Sequence, residues 1–444
     1  MPPLAPPRLL RLAAAAALGL ACSPVVPAGA ATRAPTDATA DAPSAAGSVV
    51  VLREAVDAAS VTDRLEKGAG FTADRRYGTA LKGFAARLTD TQIARLKADP
   101  EVAAVVPDIP FHADAPAPVA ARETVPPGIR RVRAATTTQA SGPANGAVAV
   151  IDTGLDLANA DLNAVSAVNC IKPGTPAQDD NGHGTHVAGT LAGRNTGSGV
   201  VGIAPGTKLF AVKVLDMRSS GTLSSILCGI DWVTKNAAAL DIRVANMSIG
   251  ASGKDDGACG QVDGAPLHMA ICRSVQAGVL YVASAGNSGV DFAQQAPASY
   301  GEVLTVAAMT DTDGLPGATG AAPCTKGEAD DRARVSSNFG VTAAQAAHLV
   351  AAPGTCILSS KRGGGTVTMS GTSMAAPHVA GVAALCLGSG GAAGPCSGMS
   401  PAQTIAKLRA DAELSARSGW GSTGDPLRPL TGKVYGFAVS AAGL

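Results

Sequence analysis

From residue 128 onward, short and continuously apolar runs alternate with stretches of helical period, and that alternation limits what the chain can fold into. The runs 147–151, 209–214, 244–249, 279–284 and 303–308 are apolar and often β-branched. A strand that is apolar on both faces must be covered on both, as in a parallel sheet with crossover helices. The intervening stretches 224–235 and 266–277 read as those helices. The expected fold is therefore α/β, a parallel sheet flanked by helices on both faces, with its site at the carboxyl ends of the strands. Ser400-Pro401-Ala402-Gln403 is a capping box with Pro at the first helical position, and opens a helix to about residue 416.

A smaller unit precedes this one. Strands at 48–52, 80–88 and 102–106 and helices at 58–67 and 89–97 suggest a β-α-β-β-α-β order, hence a small α+β unit over 48–112. Before it, Arg8 and Arg11, the apolar run 12–21 and the small residues Ala28-Gly29-Ala30 have the layout of a secretory signal peptide over 1–30. The run is about half the ~20 residues a membrane span needs, so no membrane association is expected once it is removed. Residues 31–47 form a low-complexity linker, and 113–127, with four prolines, a processing linker open to proteolysis. The main domain is expected over 128–418, and 419–444 as a C-terminal extension or final strands.

Charge and cysteine content narrow the function classes. With 35 Lys+Arg against 34 Asp+Glu, no bulk electrostatic attraction to nucleic acid is expected. Aromatics at 3% give no stacking platform for bases. Of nine cysteines, removal of Cys22 with the signal leaves eight, none in a CxxC pair. Disulfides in an oxidising compartment fit that pattern better than zinc, so the protein is expected outside the cell. The pairs expected are Cys259–Cys272 and Cys386–Cys396, then Cys170–Cys228 and Cys324–Cys356, with free buried thiols as the competing reading.

Three segments carry chemistry. The first ends an apolar strand on Asp152-Thr153-Gly154. Alone, a strand-end Asp is as often a cap. The second, Asn181-Gly182-His183-Gly184-Thr185-His186-Val187-Ala188-Gly189, sets a His between two glycines at the entry to a helix. The third, Ser370-Gly371-Thr372-Ser373-Met374-Ala375-Ala376-Pro377-His378, puts Ser373 at the start of an apolar helix over 374–387. There the N–H groups and the helix dipole face its hydroxyl. Pro377 is read as falling in the first turn, where its missing N–H costs nothing. His378 reads as a structural residue of a packed helix. Ser373 could be only a cap, and His183 with His186 metal ligands, although that i,i+3 pair has no Cys or Glu nearby. Taken together, the segments supply what acyl transfer needs: a hydroxyl, an imidazole to take its proton, and a carboxylate to orient the imidazole.

In order and spacing, these segments resemble the subtilisin-like serine protease superfamily, and within it the proteinase K branch, over about 128–390. The resemblance implies Asp152 as orienting carboxylate, His183 (not His186) as general base and acid, and Ser373 as nucleophile. Asn287, in Ala283-Ser284-Ala285-Gly286-Asn287, is implied at the oxyanion hole. Ser248, Ile249 and Gly250 resemble one substrate-binding strand and Ser219 to Gly221 the opposing edge, with an extended peptide adding between them. Ser284, Ala285 and Gly286 would form the second wall of the pocket for the residue before the scissile bond. Such small uncharged walls imply a broad preference for apolar or aromatic side chains.

The unit over 48–112, above all 77–108, resembles the inhibitory prodomain of these enzymes, which places its tail in the active site. Autoprocessing is expected between Phe111 and Arg122, with Asp114 before the cut on a strict reading. No cofactor is implied for catalysis. Structural Ca²⁺ is implied at Asp161 with the loop 194–200, where Thr196 replaces the usual amide. A second calcium site near 298–303 would be lost or altered, because Leu349 stands where an Asp is wanted.

The leading expectation is a secreted, monomeric serine endopeptidase acting on polypeptides and made as a self-processed zymogen with its own prodomain as inhibitor. Its activity should rise through about pH 6–7 as His183 loses its proton. A catalytically dead homologue serving as a scaffold, and a metal-dependent hydrolase using His183 and His186, are the alternatives.

Overall fold

The computed structural model describes residues 47–113, 125–136, 140–195, 199–320 and 322–444, with 111–113 described by backbone alone. The expected signal peptide, the linker up to residue 46 and most of the processing linker lie outside these residues. The N-terminal unit runs β1 (Ser48–Leu52), α1 (Ala58–Ala69), β2 (Arg75–Tyr77), β3 (Gly83–Ala86), α2 (Asp90–Lys97) and β4 (Val102–Pro107). Its strands form an antiparallel sheet in the order β2-β3-β1-β4. β1 reads Ser-Val-Val-Val-Leu and is buried throughout, so it takes an inner position. One face packs Val50, Leu52 and Phe84 against Val61, Leu65 and Leu96 of the two helices. Asp57 caps α1, and Thr89 with Gln92 closes a capping box on α2. The strand expected over 80–88 is confined to β3; β2 is the other of the two strands that the expected order puts between the helices, and its range was not placed because Arg-Arg-Tyr carries no apolar alternation.

After β4 the chain extends as β5 (Pro110–Ala113), and the next described helix is α3 (Pro127–Arg131). The larger unit then runs β6 (Ala147–Asp152), β7 (Ala164–Asn169), α4 (His183–Ala192), β8 (Leu209–Lys213), β9 (Ser220–Thr222), α5 (Leu223–Leu240), β10 (Ile242–Met247), β11 (Ile249–Ser252), α6 (Pro266–Gln276), β12 (Leu280–Ser284), β13 (Gln295–Ala296) and β14 (Leu304–Thr310). It continues as β15 (Arg332–Ala333), α7 (Ala343–Ala346), β16 (Leu349–Pro353), the hairpin β17 (Ile357–Ser360) and β18 (Thr366–Met369), and α8 (Thr372–Leu387). A short hairpin, β19 (Gly388–Ser389) and β20 (Ala392–Ala393), then α9 (Pro401–Ser415) and β21 (Phe437–Ala438) complete it.

The central sheet has the order β21-β16-β14-β12-β10-β6-β8-β7 and is parallel, with β15 alone antiparallel on β14. This is the parallel α/β sheet expected from the apolar runs. The run 244–249 proves to be two elements: β10 ends at Met247, and Ile249 begins β11 in a separate edge sheet. The C-terminal extension supplies one parallel edge strand, β21 on β16, rather than a strand pair. β6 lies between β8 and β10, where the chain reverses the direction in which it adds strands. Asp152, at the carboxyl end of β6, therefore occupies the switch point where sites in such sheets form.

α8 is buried from Thr372 to Cys386 and apolar on all sides, as a helix in the middle of a domain must be. It begins two residues earlier than expected, so Pro377 falls in its second turn. An interior Pro costs about 3 kcal/mol or more, partly because the carbonyl four residues back loses its donor. That carbonyl belongs to Ser373, and the Ser248 hydroxyl donates to it at 2.8 Å. All four expected disulfides are present: Cys170–Cys228, Cys259–Cys272, Cys324–Cys356 and Cys386–Cys396. The buried Arg131 donates to Asp331 and to the carbonyls of Trp420 and Gly421 and pairs with Asp311, so α3 is tied to the far end of the chain.

The smaller unit docks on α5 and α6. Val49, Val51, Tyr77 and Leu81 join one apolar cluster with Leu223, Ile226, Leu267 and Ile271. The N–H groups of Thr79 and Ala80 both donate to Asp231 Oδ1 at 2.7 Å. Glu54 pairs with Arg273, and the Asp108 carboxylate accepts from the Ser224 N–H at 2.6 Å and from its hydroxyl. Ser224 is the second residue of α5, so Asp108 caps that helix from outside, where N–H groups lack partners and the dipole favours a negative charge. We expect Asp108→Ala to lower the stability of the uncleaved chain by about 1 kcal/mol. A denaturant titration of the two full-length chains side by side measures it.

Candidate active site

The end of β6 and the start of α4 meet backbone to backbone. A Cβ on Gly184 would lie 2.1 Å from the Gly154 carbonyl oxygen, and one on Gly154 would lie 2.6 Å from the Ala177 carbonyl oxygen. Only glycine permits either approach, which explains the glycines after Asp152-Thr153 and after His183. The contact brings His183 Nδ1 to 2.8 Å from Asp152 Oδ1 and 3.0 Å from Oδ2. Both side chains are buried, and the Thr153 N–H donates to Asp152 Oδ1 at 2.7 Å, fixing the carboxylate. Nδ1 thus holds the proton that Asp152 receives, which makes Nε2 the basic nitrogen.

Ser373 stands in the first turn of α8, beneath β10 and β12. Its hydroxyl donates to the Ser248 carbonyl at 3.2 Å, while the Ser248 hydroxyl donates to the Ser373 carbonyl and accepts from Asn246 Nδ2 at 2.9 Å. Asn287 follows β12. Its Oδ1 accepts from the N–H of Thr372 at 2.9 Å and from the Thr372 hydroxyl, so the adjoining Nδ2 is left to donate outward, beside Gly371. The expected carboxylate thus lies at the carboxyl end of β6, the amide just after β12, and the imidazole and hydroxyl at the N-termini of α4 and α8, with Ser248 after β10 holding the hydroxyl.

Around them lie the expected substrate-binding segments. β11 and β9 are the two edges, and β5 of the N-terminal unit fills the space between them as an antiparallel strand. Gly250 stands opposite His112 and Ile249 opposite Ala113, while Gly221 faces Phe111 and Ser220 faces His112. Ser219 itself stands outside the pairing, in the turn before β9 with φ of 58°. Ser284, Ala285 and Gly286 are buried, and Asn338 Nδ2 donates to the Ala285 carbonyl at 2.9 Å. The Gln295 side chain lies against both Gly250 and Gly286 and so touches both walls. The sequence reading missed Gln295, since nothing local distinguishes it from a loop residue.

The other histidines have separate partners. His186 is buried with Nε2 3.0 Å from the Ile357 carbonyl, and burial brings its pKa down to about 3. His378 is buried with Nδ1 on the Met374 carbonyl at 2.9 Å, and burial brings it to about 4. Neither therefore titrates in the neutral range, and His186 does not share a ligand position with His183. Asp161 Oδ2 accepts from the Val200 N–H and the Ser360 hydroxyl, each at 3.2 Å, and Thr196 lies outside the described residues. Calcium at Asp161 thus rests on the resemblance alone. Leu349 packs among Phe292, Ala298 and Phe339, an apolar setting that does not fit a cation.

Residues 144–421 match the subtilase family of peptidases, and residues 38–114 match the peptidase inhibitor I9 family. The chain belongs to the subtilase family. It is a subtilisin-like serine endopeptidase that carries an I9-type prodomain. The thermostable alkaline protease of Halalkalibacterium halodurans is 36% identical over 301 residues, 68% of this chain and 71% of that protein. Subtilisin E of Bacillus subtilis is 36% identical over 327 residues, 72% and 74% of the respective chains. The crystal structure of a cold adapted subtilisin-like serine proteinase superposes with a TM-score of 0.53 at 28% identity, covering 72% of this chain and 100% of the other. Fervidolysin from Fervidobacterium pennivorans shares the fold, with a TM-score of 0.66 at 22% identity over 89% of this chain and 60% of that one.

Because a Cβ at residue 184 has no room, Gly184→Ala should push α4 away from β6 and lower peptidase activity about 100-fold or more, as kcat/KM on a peptide substrate would measure.

Proposed function

We propose that Ser373, His183, Asp152 and Asn287 hydrolyse peptide bonds through an acyl-enzyme, and that the chain is secreted as a zymogen which cuts itself. The observation that carries the reading is the path of β5. The chain's own extended segment lies between the two edge strands in the manner of a bound peptide and runs on toward Ser248, whose carbonyl holds the Ser373 hydroxyl. Main-chain pairing of this kind holds a peptide with little regard to its side chains.

In the resting zymogen the Ser373 hydroxyl donates to Ser248; in the reaction that proton goes to His183 Nε2 as Oγ attacks the carbonyl carbon. Asp152 keeps the proton of Nδ1 in place and favours the imidazolium. The amide Nδ2–H of Asn287 and the backbone N–H of Ser373 donate to the oxyanion. Collapse breaks the C–N bond, the imidazolium gives its proton to the departing amine, and water repeats the sequence to release the acid. The small walls of Ser284, Ala285 and Gly286 support a preference for apolar or aromatic residues before the bond. The signal-like N-terminus and the disulfides support secretion.

Two measurements test this. Purified Ser373→Ala zymogen should keep its N-terminal unit on incubation while the unmodified chain loses it; a mutant that still cuts itself alone would falsify the nucleophile assignment. Asn287→Ala should cost about 3–4 kcal/mol of transition-state stabilisation, a figure taken from subtilisin, and read as a roughly 10²–10³-fold fall in kcat with KM little changed. An effect on KM alone would remove Asn287 from the oxyanion hole.

A further inference from the structure

Asp179 takes no part in the steps above, yet it joins the parts that perform them. Its carboxylate is buried, with 1% of the residue exposed. Oδ1 accepts from the Thr153 hydroxyl at 2.9 Å, the Asn181 N–H at 3.0 Å and the Gly182 N–H at 2.9 Å. Oδ2 accepts from the Thr185 N–H at 3.0 Å and from the Thr185 hydroxyl. These donors come from three places: the residue after Asp152, the turn that precedes His183, and the first turn of α4 after it. Thr153 also accepts from the Gly184 N–H at 2.9 Å, so one hydroxyl and one carboxylate link the strand end to both sides of His183. The Asp179 backbone is held in turn, its N–H donating to the Leu155 carbonyl at 2.9 Å. Lys213 braces the same place, donating to the Thr153 carbonyl at 2.6 Å and to Asp180 at 2.7 Å. Gly182, the N-cap residue of α4, has no side chain to cap the helix, and Asp179 does so from three residues upstream.

We propose that Asp179 is a positioning residue for the reaction, setting the His183 imidazole against Asp152 through Thr153 and the N-terminus of α4. The inference rests on the reading in which His183 is the general base. An amide cannot replace the carboxylate, because five donors converge on two oxygens and an Asn would turn an NH₂ group toward some of them. The negative charge contributes as well, since it favours the imidazolium formed during the reaction. The other charged or titratable groups nearby are Asp152, Asp180 with Lys213, the neutral His186 of α4, and Arg362, whose Cβ lies 3.8 Å from an ideal Cβ on Gly182.

The test compares full-length enzyme, allowed to mature, with Asp179→Asn, Thr153→Val and Thr153→Ser, counting active sites with a fluorophosphonate so that kcat refers to competent molecules only. For Asp179→Asn, kcat per titrated site should fall about 10- to 100-fold, with KM changed by less than about threefold. The acid limb of kcat/KM should also move to lower pH, because a negative charge has been removed from beside the imidazole. Thr153→Val should show the same split to a smaller degree, and Thr153→Ser should recover most of that loss. If Asp179→Asn lowers only the number of titratable sites, leaving kcat per site and the acid limb as in the unmodified enzyme, its role is structural and the inference is overturned. If Asp179→Asn does not mature, Thr153→Val decides: an unchanged kcat per site overturns the inference, and a fall restored by Ser upholds it. An unmodified enzyme that fails to react with the fluorophosphonate would instead overturn the triad reading, and this inference with it.

Discussion

The close approach of two backbones, the end of β6 and the beginning of α4, is the constraint from which the site follows. Gly184 permits it, Gly154 lets the segment 177–179 close in beside it, and hydrogen bonds at Thr153 and Asp179 hold it. Only because these segments touch does a carboxylate on a strand meet an imidazole on a helix at 2.8 Å. The parallel sheet contributes through its register, Asn246 standing level with Val150 and Val282, so that β6, β10 and β12 end side by side. A loop-built arrangement of the same residues would lack that rigidity.

The fold was legible in most strands where burial is uniform, though not in β16, whose Leu-Val-Ala-Ala-Pro is buried throughout but offers one β-branched residue and ends in Pro353. Strands covered on both faces are apolar throughout, and so are recognisable one at a time; five of the central strands could be read in this way. β7 carries Ser166 and an exposed Val165, and β21 is two residues long at the edge, so neither offers the same signal. Of the residues proposed as the triad, Asp152 and His183 stand in runs whose glycines are needed for backbone contact, and Ser373 follows Gly371 with its φ of 152°, so all three stood out locally. Asp179 and Gln295 were not, because their partners come from other segments and nothing in their own neighbourhood reveals them. The offset at Pro377 has the same origin. Its place in the second turn of α8 is tolerated because Ser248, far away in sequence, donates to the carbonyl that the proline leaves without an N–H.

The N-terminal unit recognises the larger one in two ways. Its sheet buries apolar side chains on α5 and α6 while Asp108 caps α5 and Asp231 receives two of its N–H groups. Its tail strand completes an edge sheet that would otherwise leave β9 and β11 unpaired with each other. The first contact is particular to this pair of surfaces, whereas the second is backbone chemistry open to any extended peptide. An inhibitor and a substrate are thus distinguished by what accompanies the strand and not by the strand itself.

Before any bond is cut, β5 belongs to the same chain as the edge strands it pairs with, so its pairing is intramolecular and dilution does not weaken it. Once the chain is severed, the strand stays only as long as its contacts outlast dilution. Occupancy then becomes a matter of mass action.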